Sequence, residues 1–247
     1  WSNSSNWKDN LIPDSTEDVT ILSGQSITFD SSSDVINNLS IVSGGTFSVN
    51  SDAGLLVNGA LTNAGTLTIN STSTNFGAIL ISASSDATGL INYNRWVNSV
   101  GTNEWDLIGS PVGGQSISNF VSTNASPLAT GGGSGGDQYA VGYYDNNADE
   151  WTNYTTGTVG GAGNFISGKG YQMATDSGAT VAFSGYYQTT EQTQTIYDYT
   201  GSGGRIWNLV ANPYPTYLYA NSNANSNNFI TYNTVSDNNL NDTYAYI

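Results

Sequence analysis

Between residues 17 and 83 the chain is a succession of very short apolar phrases: "DVTIL", "QSITF", "NLSIV", "GTFSV", "GLLVN", "GTLTI" and "AILIS". Gly, Asn, Ser or Asp separates each from the next. β-Branched residues at alternate positions carry the period of a half-buried strand, and no phrase is long enough for an ordinary helix. In residues 44–70 the apolar groups fall at Phe47, Val49, Leu55, Val57, Leu61, Leu67 and Ile69. Short strands at even spacing, with Asn and Gly at the corners, suggest a parallel β-helix or a similar stacked β-roll. The competing arrangement is an antiparallel meander that turns at the hairpin dipeptide Asn58-Gly59. Phrases such as "TNAGTLTI" return without a true hairpin signal, which favours the stack.

From about Tyr93 the texture changes. Aromatic residues become dense, and strand-like runs appear at "EWDLIGSP", "QYAVGYYD", "GYQMAT" and "TVAFSGYY". No window carries a helical period, so this half reads as an antiparallel β-sandwich. The run "GGGSGG" at residues 131–136 reads as a flexible loop inside that sandwich, since strands of one style flank it. The expected organisation is therefore all-β: stacked strands over residues 1–92 and a sandwich over residues 93–247.

Two phrases in the second half echo each other. Trp105 opens "WDLIGSP" and Trp207 opens "WNLVANP". "DQYAV" at Asp137 likewise returns as "DTYAY" at Asp242, at nearly the same offset. Two echoes at one offset imply a duplicated unit, the first over about 93–195 and the second from about 196. The phrase reads as a buried strand whose Trp and aliphatic residues pack inward. Proline then ends the ladder because it has no amide donor. The second copy lacks a counterpart of "FISGKGYQM" before Ile247. The expectation is that the parent protein continues or that a partner adds the missing strands at an edge.

Taken together, "NW" near the start, "IPDSTEDVTI", "NLSIVSGGTFSV", "NGALTNAGTLTI", "WDLIGSPV", "FISGKGYQM", "VAFSG" and "WNLVANPYP" resemble large secreted surface proteins of Bacteroidota. The resemblance covers nearly the whole chain. It implies repeated β modules of adhesins or of exported enzymes, and export by the type nine secretion system. No catalytic residues are attached to these motifs.

Charge and residue usage narrow the function classes. Four Lys/Arg against 19 Asp/Glu give a formal charge of −15, which repels nucleic acid and anionic membranes. With no cysteine there is no disulfide framework, and with no histidine the commonest general base and transition-metal ligand are missing. No apolar run approaches the length of a membrane span. The acidic pairs Asp149-Glu150 and Glu104-Asp106 are neighbours in sequence, which does not make them face each other across a cleft as glycoside hydrolysis needs. An enzyme is not expected, nor is any cofactor, with calcium the one ion worth weighing. Asp145, Asn147 and Asp149 place oxygen at alternate positions of "DNNADE", as a calcium loop does, although a polar hairpin tip accounts for them equally. "SDNNLND" at residues 236–242 has similar spacing.

Tyr143, Tyr144, Trp151, Tyr186 and Tyr187 could stack on sugar rings if exposed. Neighbouring tyrosines point to opposite faces of a sheet, so one of each pair should be exposed and the other in the core. Asn-x-Ser/Thr sequons occur at Asn3, Asn38, Asn70, Asn124, Asn153 and Asn241, which an Asn-, Ser- and Thr-rich chain yields by accident. "DST" at residues 14–16 resembles the Bacteroidota O-glycosylation signal, with Ser15 as the acceptor. The expectation is an extracellular, cell-surface, structural or adhesive module that associates with itself or with neighbouring modules. The alternative is a carbohydrate-binding module of a secreted enzyme.

Overall fold

The computed structural model describes residues 1–82, 87–102, 105–133, 136–198 and 207–218. The short phrases stack as a coil of three successive turns. The first turn is β1 (Val19–Ile21), β2 (Ser26–Phe29) and β3 (Asp34–Ile36). The second is β4 (Leu39–Ile41), β5 (Thr46–Val49) and β6 (Gly54–Val57), and the third is β7 (Leu61–Asn63), β8 (Thr66–Ile69) and β9 (Ala78–Ile81). A fourth begins with β10 (Ala87–Thr88) and β11 (Leu90–Val97). Equivalent strands pair in parallel, giving sheets β1-β4-β7-β10, β2-β5-β8-β11 and β3-β6-β9. This is the expected β-solenoid. The Asn58-Gly59 dipeptide is a corner between turns, since both of its amides donate to the turn before, Asn58 to Ile36 O (2.9 Å) and Gly59 to Asn37 O (2.7 Å).

Alternation explains the register. Phe29, Val49 and Ile69 stand in one inward column, and Ile36, Val57 and Ile81 in another, and all six are buried. Between them the outward columns are hydroxyls: Thr20, Ser40, Thr62 and Thr88 on one sheet, Thr28, Ser48 and Thr68 on the next. A one-residue slip would exchange these sets, so burial fixes the pairing.

A stacked sheet has two raw edges, and here several are covered from within. At the first turn, the Trp1 terminal ammonium and the Ser2 amide donate to Thr28 O (2.6 Å) and Asp30 Oδ1 (3.1 Å) beside β2. The Trp1 ring is buried edge-on against Phe29, 5.0 Å centroid to centroid, and its Nε1 donates to Asp34 Oδ2 at 3.0 Å. At the last turn, β17 (Ala179–Tyr186) adds antiparallel to β11 over eight residue pairs. Beside β9, the Ile79 amide donates to Pro215 O (2.8 Å) and the Ile81 amide to Tyr187 Oη (3.0 Å).

The second layer is an antiparallel sheet of β12 (Asp106–Ile108), β13 (Thr130–Gly133), β14 (Gly136–Asp145), β15 (Glu150–Thr155) and β16 (Tyr171–Met173). Its order is β12-β16-β14-β13, with β15 also on β14. Phe165 links the layers, since its ring lies 5.0 Å from Tyr171 of the sheet and 5.7 Å from Phe183 of β17. One apolar core runs from Trp1 to Tyr187. The expected boundary after residue 92 falls inside β11, which belongs to both parts.

Three expectations change. "ISNFVST" is a helix, α1 (Ile117–Thr123), where no helix was expected. Ser116 caps it, its Oγ accepting from the Asn119 amide at 3.1 Å, and Ile117, Phe120 and Val121 are buried. The period was there but spans only two turns. Most of the glycine run is not a loop: Gly131, Gly132 and Gly133 pair with Gln138, Asp137 and Gly136. The echoed phrase is not a buried strand either. Leu107 is 55% exposed and Trp207 45%, because β12 is the last strand of its sheet and residues 207–211 form no named strand.

The two echoed phrases nevertheless behave alike at their polar positions. Asp106 accepts from the backbone amide of Asn98 (2.7 Å) and Asn208 from that of Tyr197 (2.9 Å). Ser110 Oγ accepts from the amide of Val112 (3.4 Å), and Asn212 Oδ1 from that of Tyr214 (3.0 Å), each two positions on. Pro111 and Pro213 between them are buried. Each corner then covers a sheet edge, Gly113 by pairing with Tyr186 and Pro215 by accepting from Ile79. The "DTYAY" echo and the rest of the expected second unit beyond residue 218 lie outside the described residues.

Candidate functional site

The motifs "GKGY" and "WNLV" meet. Lys169 and Val210 form an antiparallel bridge, with Gly170 N donating to Leu209 O and Ala211 N to Gly168 O, both at 2.9 Å. The join needs both glycines. Gly168 has φ +77°, a conformation that favours glycine, and a Cβ on Gly170 would run into the Leu209 side chain. Beside this join lies an open groove lined by Tyr144, Asn146, Lys169, Tyr197, Trp207 and Asn208 among others.

Amide hydrogen bonds hold the groove walls. The Asn208 side chain accepts from Tyr197 N and donates to Tyr197 O, both at 2.9 Å, so it pairs with that backbone as a strand would. Asn146 Nδ2 donates to Asn208 Oδ1 at 3.1 Å. The Lys169 ammonium lies 4.7 Å above the Tyr143 ring and 5.8 Å from that of Tyr171. Burial pulls it below the ordinary lysine value, and the nearby Asp145 carboxylate offsets part of that shift.

The residues singled out for sugar stacking divide. Tyr144 and Trp151 are cross-strand partners on β14 and β15 with rings 5.4 Å apart, and Trp151 is 42% exposed. Tyr143 packs against Tyr154 at 5.7 Å, under Lys169. Tyr186 is 59% exposed but stands at the end of β17, and Tyr187 is 7% exposed, so no sugar can stack on it. Sequence reading missed Asn146, Tyr197, Trp207 and Asn208. The signal for the last two was the echoed phrase, which reads equally as a buried strand.

Asp145, Asn147 and Asp149 form the tip of the β14–β15 hairpin. Asp145 Oδ1 accepts from the amides of Asn147 (3.0 Å) and Ala148 (3.2 Å), and Asp149 Oδ1 from Tyr144 Oη (2.6 Å). These carboxylates hold the turn, with Asp149 itself at φ +59°. Among the described residues no three His, Cys, Asp or Glu side chains gather as a metal cage. The "SDNNLND" stretch lies outside the described residues. Ser15 sits exposed in a turn closed by Glu17 N donating to Asp14 O at 3.1 Å. Asp14 Oδ1 accepts from the amide (2.8 Å) and hydroxyl (2.7 Å) of Thr16, which holds its carboxyl below the usual range.

Among the described residues no helix is long and apolar enough to cross a membrane. Neither the curated proteins nor the solved structures give a significant match to the chain. Residues 1–244 match the family described as "Domain of unknown function (DUF8693)", and the chain belongs to that family.

Proposed function

We propose that this is a non-enzymatic structural or adhesive module of a bacterial cell-surface protein or filament, acting through strand edges and surface contacts. One observation carries the reading. Sheet β2-β5-β8-β11-β17 runs without a break from the solenoid's first turn to the strand that packs on the antiparallel layer. A continuous ladder over one core makes a stiff support for the surfaces it presents. The uncharged hydroxyl columns and the acidic surface suit such a part in an external medium.

The contacts would be made at the antiparallel sheet. β12, β13 and β15 each pair on one side only among the described residues, and β15 carries the exposed Trp151. The solenoid edges covered by Trp1, β17, Tyr187 and Pro215 are less suited to self-association. Negative-stain electron microscopy of the intact chain tests the filament form. Ordered fibres or sheets, lost when Thr152→Pro blocks the β15 edge, are the expected result. Dispersed monomers at all concentrations would sink the filament form. Export and surface display are tested separately by labelling intact cells that make the protein. O-glycosylation at Ser15 is tested by a mass shift on the peptide that contains it.

A further inference from the structure

The groove beside Lys169 has a lining that selects a ligand class. Three aromatic residues contribute to it, and two of them, Tyr197 and Trp207, stay 49% and 45% exposed. Exposed flat rings at a concave site bind the apolar face of a pyranose. Between the rings stand the amides of Asn146 and Asn208, fixed in place by their bonds to each other and to the Tyr197 backbone. Asn208 Oδ1 already accepts two hydrogen bonds and Asn146 Nδ2 already donates to Asn208 and Tyr197, so the fixed acceptor left for a sugar hydroxyl is Asn146 Oδ1, held at little ordering cost to a ligand.

Charge decides which sugars. Lys169 is the one cation among the described lining residues, and Asp145 already acts on it. Asp149 holds the Tyr144 hydroxyl at the rim, and the chain carries −15 overall. A carboxylated, sulfated or phosphorylated ligand would approach against that field. Trp151 lies beside Tyr144, so the ring surface continues past the groove and has room for more than one sugar unit. The geometry points to a saccharide-binding site for a neutral oligosaccharide, with Trp207 and Tyr197 as stacking rings and the Lys169 ammonium as a donor to a sugar oxygen.

The site stands whether or not the chain assembles, so its test is separate from the imaging above. The intact chain is titrated calorimetrically with cellotetraose, xylotetraose, chitotetraose, mannotetraose and tetragalacturonate. At least one neutral tetrasaccharide should bind. Trp207→Ala should weaken that binding about tenfold, as expected for loss of a stacked ring, and Lys169→Met by a few-fold, while Tyr186→Ala leaves it unchanged. Trp207 is exposed, and circular dichroism reports whether the variant folds. If it does not, Tyr197→Ala serves as the second ring deletion. Preference for tetragalacturonate overturns the neutral class. Binding unmoved by both groove substitutions overturns the site, and no binding of any neutral probe at millimolar concentration overturns the proposal.

Discussion

At Tyr187 one phenol oxygen does what a strand would otherwise do. It accepts the Ile81 amide while its ring fills the core. Tyr187→Phe keeps the ring and strands that amide, so chemical denaturation should show a loss of about 1–2 kcal/mol. The buried phenols also set the alkaline limit. Burial raises Tyr154, Tyr171 and Tyr187 above the ordinary value of 10.0. In the unfolded chain they ionise near pH 10; in the fold they keep their protons. Stability from this source is therefore complete below about pH 10 and falls as pH rises beyond it. Urea midpoints should be level from pH 8 to 9 and drop by pH 11, with phenolate absorbance appearing together with unfolding. A midpoint unchanged at pH 11 would contradict this. Alternation made a division between core and solvent legible at Tyr186 and Tyr187, whereas Tyr143 and Tyr144 are both half-buried. That Tyr187 is the buried one was not legible, because burial depends on β17 meeting the solenoid.

At the scale of elements, alternation makes neighbouring positions differ sharply. Leu67 is fully buried and Thr68 faces out on the same strand. Leu67→Ala should cost about 2–5 kcal/mol through transfer and cavity terms, whereas Thr68→Ala should stay within about 0.5 kcal/mol. Equal effects in urea unfolding would refute the assigned faces. The join of residues 207–211 to Gly168–Gly170 has its own weak point. Gly170→Ala pushes on Leu209, and the expected result is faster amide exchange at Ala211, which donates to Gly168 O, with the Leu67 amide unchanged. The solenoid strands were readable because each obeys a period of two over its whole length. Helix α1 was not, since seven residues barely complete two turns of a period of 3.6. The glycine strand β13 was hidden for another reason. Its residues have no side chains to show a period, and it forms because β14 offers a ladder.

For the molecule as a whole, the decisive feature is the main core that runs from Trp1 to Tyr187. Secondary-structure and aromatic circular dichroism of the residues sharing it should therefore change in one cooperative transition. Two separated transitions, one with the solenoid's strand signal alone, would mean that the core is divided near β11. The sequence by itself determined the class: an all-β chain that begins as a stacked coil, because short alternating phrases with Gly and Asn corners leave few other ways to bury their apolar faces. It also pointed to "WDLIGSP" and "WNLVANP" as related pieces with one architectural role. Tertiary structure decided what that role is. Whether Leu107 or Trp207 lies inside depends on its neighbours: Leu107 is on the last strand of its sheet, and Trp207 is on a segment that forms no strand. The groove was beyond the sequence for the same reason. Tyr144, Lys169, Tyr197 and Trp207 come from separate stretches of chain, and the pairing of Lys169 with Val210 and the bonds among Asn146, Asn208 and Tyr197 bring them together.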